Sequence, residues 1–237
     1  MASMENHLIE LLPRADRTRL LSICKPVDLV LAEVLYEPRR PIRHVYFPIT
    51  GFVSLVMSID GNPGLEIGMV GREGMVGSHV ILGVVDAPLH ALVQGAGTAW
   101  RVAVAPFRRQ LDASPALRRG LNRYLYVLMA QMAESAGCLR YHEIGPRLAR
   151  WLLMSQDRAH CDEFAVTQEF LAYMLGVRRV GVTKAAGALQ SSGLIHYRRG
   201  LMTVTDRAGL MAAACSCYAV DCKTYLDLLG PTAEAAN

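Results

Sequence analysis

Residues 167–195 read TQEFLAYMLGVRRVGVTKAAGALQSSGLI and decide the fold of the C-terminal part of this 237-residue chain. The first half predicts a short amphipathic helix, because Thr167 can cap free backbone N–H groups and Gly176 ends the helical pattern. Its apolar side consists of Phe170, Leu171, Met174 and Leu175. The second half predicts another helix, from about residue 178 to residue 191, with one small, apolar side. Two such helices joined by a tight turn form a helix-turn-helix.

The second predicted helix begins with basic residues on its polar side. In a DNA-reading unit this helix lies in the major groove, where its first residues meet the edges of the bases. Basic side chains at that end are therefore suited to DNA. The candidate DNA-binding residues of the two helices are Thr167, Gln168, Arg178, Arg179, Val180, Thr183 and Lys184.

A two-stranded wing is predicted after Gly193, where apolar and polar residues alternate around an Arg199-Gly200 turn. Arg198 and Arg199 of this wing are further candidates for DNA binding. Residues 167–207 contain six Lys or Arg and two acids, a local charge of +4 that equals the net charge of the whole chain. Such concentration is typical of a surface that binds a phosphate backbone. A winged helix that binds protein, or a merely solvated basic face, is the alternative.

Length and composition predict one or two domains, with 52% hydrophobic residues available for a core. No apolar run reaches the roughly 18–20 residues that a membrane span needs. The N-terminal residues also lack the basic-then-apolar order of a signal peptide. We therefore expect a cytoplasmic protein without a membrane partner.

Short β-strands dominate residues 27–104, which are rich in Val, Ile and aromatic residues and are broken by Gly and Pro. Many short strands at this spacing predict a sandwich or small barrel. Asp60-Gly61 predicts a hairpin turn.

From Pro106 the pattern is helical again, and an apolar stripe predicts a long helix and a dimer interface. The stripe consists of Leu121, Leu125, Leu128 and Met132. Packing of this stripe onto the β-domain of its own chain is the alternative.

The six cysteines are expected to be reduced and structural, because nothing in the chain resembles an export signal. Cys215, Cys217 and Cys222 lie close together in a run that predicts one continuous helix. On such a helix Cys215 and Cys217 would point about 200° apart, which makes a poor pair of metal ligands. No metal and no cofactor is therefore expected.

The order of these parts resembles the Crp/Fnr family of bacterial transcription regulators over nearly the whole chain. The matching motifs are Thr167-Gln168-Glu169, Leu175-Gly176, Arg178-Arg179, Gly193-Leu194-Ile195, Arg199-Gly200 and Asp206-Arg207. The resemblance implies an α+β protein with an N-terminal antiparallel β-roll of the cyclic-nucleotide-binding type (1–115). A long connecting dimerisation helix (116–140) and a C-terminal winged helix-turn-helix (141–237) would follow.

The resemblance also implies a homodimer that reads a palindromic site in double-stranded DNA, with half-sites about one helical turn apart. RNA polymerase is a possible further partner. Base contacts in the family come from three positions that correspond here to Arg179, Val180 and Lys184. The middle one is commonly Glu, which accepts a hydrogen bond from cytosine, whereas Val180 can only touch a thymine methyl group. We therefore expect a different operator.

The phosphate-binding cassette of the cyclic-nucleotide-binding members is altered in this chain. Ser78 replaces the Glu that binds ribose, and Leu89 replaces the Arg that binds phosphate, which removes a bidentate contact. The corresponding effector pocket would be formed by Gly74, Met75, Val76, Gly77, Ser78, Leu89 and His90. We expect no binding of cyclic AMP or cyclic GMP; the effector is another small molecule or does not exist. The oxygen-sensing members hold an iron–sulfur cluster with N-terminal cysteines, where this chain has only Cys24.

An enzyme is not expected. His79 and His90 on a β-roll suggest a cupin-like metal site, but the paired His-x-His of such sites is missing. Ser78 beside His79 lacks an orienting acid. The alternative to a DNA-binding regulator is therefore a sensory or scaffold module that binds a small molecule or a protein.

Overall fold

The computed structural model describes residues 5–60 and 64–230. Its strands are β1 (Lys25–Leu29), β2 (Val34–Tyr36), β3 (His44–Met57), β4 (Leu65–Val70), β5 (His90–Ala103), β6 (Glu163–Ala165), β7 (Ile195–Arg198) and β8 (Leu201–Val204). Its helices are α1 (His7–Glu10), α2 (Arg14–Leu21), α3 (Val104–Ala113), α4 (Pro115–Tyr141), α5 (Ile144–Ala159), α6 (Gln168–Leu175), α7 (Arg179–Ser191), α8 (Arg207–Ala213) and α9 (Cys217–Leu229), with a short 3-10 helix at Ser78–Leu82. This mixed architecture confirms the predicted α+β class.

The N-terminal half is an antiparallel β-roll. Its sheet has the strand order β1-β5-β3-β4, and β2 pairs with β5 as well. The two 14-residue strands β3 and β5 pair along their length, and shifts in register around residues 48–53 allow the sheet to curl. Gly51 lies there at φ 72°, and a Cβ atom would stand 2.3 Å from the carbonyl oxygen of Gly95. β3 and β4 form the expected hairpin, although Gly61 of its predicted turn lies outside the described residues.

Helix α4 connects the two halves of the molecule. Ser114 caps its start by accepting a hydrogen bond from the backbone N–H of Leu117, and Pro115 occupies the first turn, where no N–H is required. The helix ends at Tyr141. One of its sides packs on the β-roll and on α9, where Gln131 accepts a hydrogen bond from the backbone N–H of Met69 at 3.2 Å.

The C-terminal half is built around α5, whose buried side chains share a core with α6, α7, α8 and the strands of the wing. These strands form a small sheet of order β6-β8-β7. Within residues 5–60 and 64–230, no helix combines the length and the apolar character that are required to cross a membrane.

The run from residue 208 to residue 229 is not one continuous helix, as the sequence predicted. Helix α8 is capped by Ala214 in an extended conformation, and α9 starts again at Cys217. Between them the backbone N–H of Cys215 donates to the carbonyl oxygen of Pro146 at 3.3 Å. The second helix then returns along α4, and Leu229 joins the core of the β-roll. The C-terminal segment therefore contacts both halves of the molecule.

Candidate nucleic-acid interface

Helix α6 begins and ends at the residues that the sequence indicated. The side chain of Thr167 accepts a hydrogen bond from the backbone N–H of Phe170 at 3.1 Å. Gly176 closes the helix in the left-handed conformation at φ 61°, which favours glycine. Leu171, Met174 and Leu175 are buried, whereas Phe170 is only half-buried. This turn sets the angle at which α7 leaves α6.

Helix α7 buries one side and exposes the other. Val182, Ala185, Ala186 and Leu189 are buried. Its exposed side begins with Arg178 and Arg179, and Val180 is 61% exposed. Thr183 and Lys184 continue this exposed surface one turn later. The side chains predicted to meet DNA therefore project from one face at the start of the second helix.

A hydrogen bond connects the two helices at this surface. The hydroxyl of Thr183 donates to Oε1 of Gln168 at 2.7 Å. Gln168 is half-buried and Thr183 is exposed, so the bond lies at the edge of the predicted DNA face. Both side chains are thereby held in place before any ligand arrives.

The wing is a tight hairpin of β7 and β8. Arg199 at φ 52° and Gly200 at φ 81° form its two-residue turn, and two positive φ angles in succession are typical of a type I′ turn. Arg198 and Arg199 are exposed. Gln190 of α7 accepts a hydrogen bond from the backbone N–H of Tyr197 at 2.7 Å, which ties the wing to α7. Gln190 was not predicted from the sequence, because its partner is a backbone group that no motif marks.

Five basic side chains of this surface are unpaired. Within the described residues, none of them forms a salt bridge: Arg178, Arg179, Lys184, Arg198 and Arg199. Arg207, the sixth basic residue of the segment, differs because it pairs with Asp157 at 2.7 Å and bonds to the hydroxyl of Tyr218 at 2.8 Å. Its charge is satisfied within the protein and does not contribute to a DNA-binding surface.

Side chains of helix α5 connect the winged helix-turn-helix to the β-roll through an ion pair and a hydrogen bond. Arg158 pairs with Glu73 at 2.8 Å, and the indole N–H of Trp151 donates to Oε1 of Glu66 at 2.9 Å. Ser54 donates to the other oxygen of Glu66 at 2.5 Å. Burial raises the pKa of Glu66 to about 7, although these hydrogen bonds favour the ionised form. The contact between the two halves thus contains a carboxyl group that titrates near neutral pH.

The residues of the predicted effector pocket lie in the core of the β-roll. Met75, Val76, Ser78 and Leu89 are buried, and His90 is half-buried. A Cβ atom on Gly74 would stand 2.3 Å from the hydroxyl of Tyr124, and one on Gly77 would stand 2.8 Å from the hydroxyl of Tyr36. Protein side chains therefore occupy the space beside both glycines.

A cavity of about 440 Å³ lies elsewhere, between the β-roll, α4, α5 and α9. Its polar lining includes Arg72, Glu73, Asp157, Arg158, Tyr218 and Tyr225. These residues come from three distant segments, so no local motif could have indicated them. His79 and His90 do not belong to any group of three or more candidate metal ligands among the described residues, which argues against the cupin-like site.

The predicted dimer stripe on α4 is largely used within the chain. Leu121 is 1% exposed and Leu128 is 8% exposed, and both belong to the core of the β-roll. Leu125 and Met132 are half-buried against the same core. This packing favours the alternative interpretation for Leu121 and Leu128, whose side chains are buried within their own chain.

A different stripe of α4 is exposed. It consists of Asn122, Tyr126, Met129, Ala133, Ala136 and Arg140. These residues are spaced alternately four and three positions apart, which is the heptad spacing of a two-stranded coiled coil. This stripe was not predicted from the sequence, because its residues are less hydrophobic than the leucines beside it.

Residues 146–213 match the Crp-like helix-turn-helix domain family. Among curated protein sequences, none matches the chain. Solved structures of similar fold include a putative Crp/Fnr regulator from Eubacterium rectale (TM-score 0.68, 15% identity, 88% of this chain and 99% of that one).

The c-di-GMP-responsive regulator CLP of Xanthomonas campestris also has a similar fold (TM-score 0.66, 17% identity, 81% of this chain and 99% of that one). A CRP/FNR-family regulator from Thermus thermophilus is similar as well (TM-score 0.65, 22% identity, 80% of this chain and 98% of that one). The whole architecture is thus shared with transcription regulators of this type.

Proposed function

Because the chain has the fold of the Crp/Fnr transcription regulators and carries a Crp-like helix-turn-helix domain, we propose that it binds DNA sequence-specifically as a homodimer. The observation that carries the proposal is the unpaired positive charge at the start of α7 and on the wing. Exposed cations that have no acidic partner in the part of the chain that the structure describes are available to attract phosphates. The relatives are regulators, which favours this function over an enzyme.

The positions of the basic side chains suggest that helix α7 and the wing make different contacts with DNA. Arg179 and Lys184 project from the first turns of α7, the part of a recognition helix that meets base edges. Arg198 and Arg199 lie on the wing, where they suit contacts with the phosphate backbone. Val180 offers an apolar contact for a thymine methyl group.

We assign dimerisation to the exposed heptad stripe of α4. Tyr126 is 61% exposed and Met129 is 67% exposed, and small alanines follow one and two turns later. Two copies of α4 can approach closely along such a stripe, with Tyr126 and Met129 as the largest buried side chains. A two-fold axis along this seam would place the two α7 helices on a palindromic operator.

Cyclic nucleotides are not the effector in this proposal. Leu89 and Ser78 are buried apolar and neutral side chains at positions where a cation and a carboxylate would be required. A phosphate buried there would lack a charged partner, and that desolvation is costly. Regulation by another small molecule, and contact with RNA polymerase, stay predictions.

Selection of bound sequences from random DNA, followed by affinity measurements at several salt concentrations, tests the proposed function. We expect one palindromic sequence to be enriched and bound at least 10³-fold more tightly than random DNA. Affinity should fall steeply with salt for both DNAs, because cations on the protein replace counterions. A protein that shows no enrichment and no binding at low salt would instead be a sensory or scaffold module.

A further inference from the structure

The end of α4 and the junction of α8 and α9 bring four potential metal ligands together. Cys138 and His142 lie one turn apart at the end of α4, and Cys215 and Cys217 lie where α9 begins. The ligand atoms of these four residues all lie within 4.8 Å of one another. The three cysteines are buried and form a small cluster of their own, and His142 is half-buried.

Two of the six distances between these ligand atoms match those of a tetrahedral zinc site. Zn–S bonds of about 2.3 Å and Zn–N bonds of about 2.0–2.1 Å at tetrahedral angles separate neighbouring ligand atoms by roughly 3.5–3.8 Å. Here the Sγ atoms of Cys138 and Cys215 are 3.6 Å apart. Sγ of Cys217 and Nδ1 of His142 are 3.5 Å apart. Two opposite edges of the tetrahedron therefore already have the required length.

The break between α8 and α9 makes this arrangement possible. On one continuous helix Cys215 and Cys217 would point in different directions, as the sequence analysis assumed. In the structure Cys215 precedes α9 and Cys217 is its first residue, so both thiols face the end of α4. The prediction of one continuous helix was therefore wrong here, and it kept the two cysteines apart.

The surrounding charges suit a thiolate-rich site. Three thiolates and one Zn²⁺ carry a net charge of −1. Arg147 and Arg150 of α5 are buried, and both interact electrostatically with Cys138 and Cys215. Glu134 is the acidic group near Cys217. Arg150 also pairs with Asp221 of α9 at 2.7 Å, and Arg147 donates to the carbonyl oxygen of Leu175 at the end of α6.

We propose that Cys138, His142, Cys215 and Cys217 bind one structural Zn²⁺ ion. Four protein ligands complete a tetrahedron and leave no position for substrate, so the site is structural and not catalytic. The ion joins the end of α4 to the start of α9, which fixes the C-terminal helix on the long helix. The proposal does not depend on whether the protein binds DNA.

Two other uses of the cluster explain fewer of its residues. A disulfide between Cys138 and Cys215 would leave Cys217 and His142 without a role. An iron–sulfur cluster is larger than a single ion and would hold its four ligands further apart than they are here. Three thiolates with one imidazole form a set that is typical of structural zinc.

Metal analysis of the purified full-length protein tests the proposal directly. Protein produced in zinc-supplemented medium and purified without chelator should contain one zinc per chain by mass spectrometry. The double variant Cys215→Ser/Cys217→Ser should contain almost none. Cys161→Ser and Cys222→Ser are the matched controls, because these cysteines lie outside the cluster, and both should keep their zinc.

Cobalt substitution and chelator competition provide a readout that does not depend on a variant that folds poorly. Reduced wild-type protein reconstituted with Co²⁺ should show the intense d–d absorption of a tetrahedral site with thiolate ligands. His142→Ala removes only a half-buried ligand and should weaken zinc binding at least tenfold in competition with a chelator. Far-ultraviolet circular dichroism checks that this variant is folded.

Four results would overturn the proposal. The first two are wild-type protein that takes up no zinc even after reduction and reconstitution, and iron as the stoichiometric metal. The others are a Cys138–Cys215 disulfide in peptides of protein alkylated at harvest, and a cobalt spectrum of octahedral type.

Discussion

Arg179 is the side chain on which the reading of DNA depends most in this proposal. It is exposed, has no acidic partner among the described residues and occupies the first position of α7. Arg179→Ala should weaken binding to the selected operator by about 1–3 kcal/mol and relax the preference at one base of each half-site. Fluorescence anisotropy with a set of single-base operator variants measures both effects.

Arg14→Ala is the matched control for that experiment. Arg14 is also exposed, but it lies in α2 on the β-roll, so the same loss of charge should leave operator binding unchanged. An equal loss of affinity for operator and random DNA would show that Arg179 contacts only phosphate.

Glu66 makes stability depend on pH. Burial raises its pKa to about 7 from 4.5, so the folded protein keeps a proton that the unfolded chain releases. Between these pH values the folded state binds more protons, and stability falls as pH rises. Above about pH 7 the loss is complete.

Glu66→Gln removes this titration while it keeps a hydrogen-bonding side chain beside Ser54 and Trp151. Relative to wild type, the variant should be about 2 kcal/mol more stable at pH 8 than at pH 5, because only wild type loses stability between these pH values. Urea denaturation at the two pH values measures this difference. A constant gap between the two proteins would mean that Glu66 is ionised throughout.

At the scale of a single element, α4 has two apolar sides with different roles. Leu121 and Leu128 face the core of the same chain, whereas Tyr126 and Met129 face outward. Only spacing and hydrophobicity are visible in the sequence, and both stripes have the spacing of a helix side. The more hydrophobic one is drawn into the nearest core, which here belongs to the β-roll.

The Met129→Glu substitution tests whether the exposed stripe of α4 forms the dimer interface. A charge at the centre of the proposed seam should shift the protein from dimer to monomer, because two carboxylates would meet across the two-fold axis. Operator affinity should fall with it, since each monomer holds one half-site. Sedimentation velocity measures the oligomeric state.

Met211→Glu introduces the same change at an exposed methionine on α8 and should stay dimeric. A Met129→Glu protein that remains a dimer at micromolar concentration would remove α4 from the interface.

At the scale of the whole molecule, the β-roll is packed as a core at the residues that were predicted to form an effector pocket. Wild-type protein titrated with millimolar cyclic AMP or cyclic GMP in a calorimeter should show no saturable heat, because Leu89 and Ser78 supply no charged partner for phosphate or ribose. Operator affinity should also be unchanged by either nucleotide. Saturable binding in the micromolar range would contradict this prediction.

The sequence by itself determined the elements that local patterns encode. Thr167 and Gly176 mark the ends of α6, Arg199-Gly200 forms the turn of the wing, and short runs rich in Val, Ile and aromatic residues predict the strands of the β-roll. Each of these features is encoded by caps, turns or composition within a short segment. For that reason the helix-turn-helix, the wing and their exposed basic residues could be predicted without coordinates.

Only the tertiary structure decided which surfaces meet. Packing selected the inner stripe of α4, paired Arg207 with Asp157 and filled the space around Gly74 with the ring of Tyr124. It also broke the last helical run at Ala214 and so brought Cys215 to Cys138, a residue 77 positions earlier in the chain. Contacts of this kind depend on how distant elements share one core, and the periodicity of a single segment contains no information about its partner.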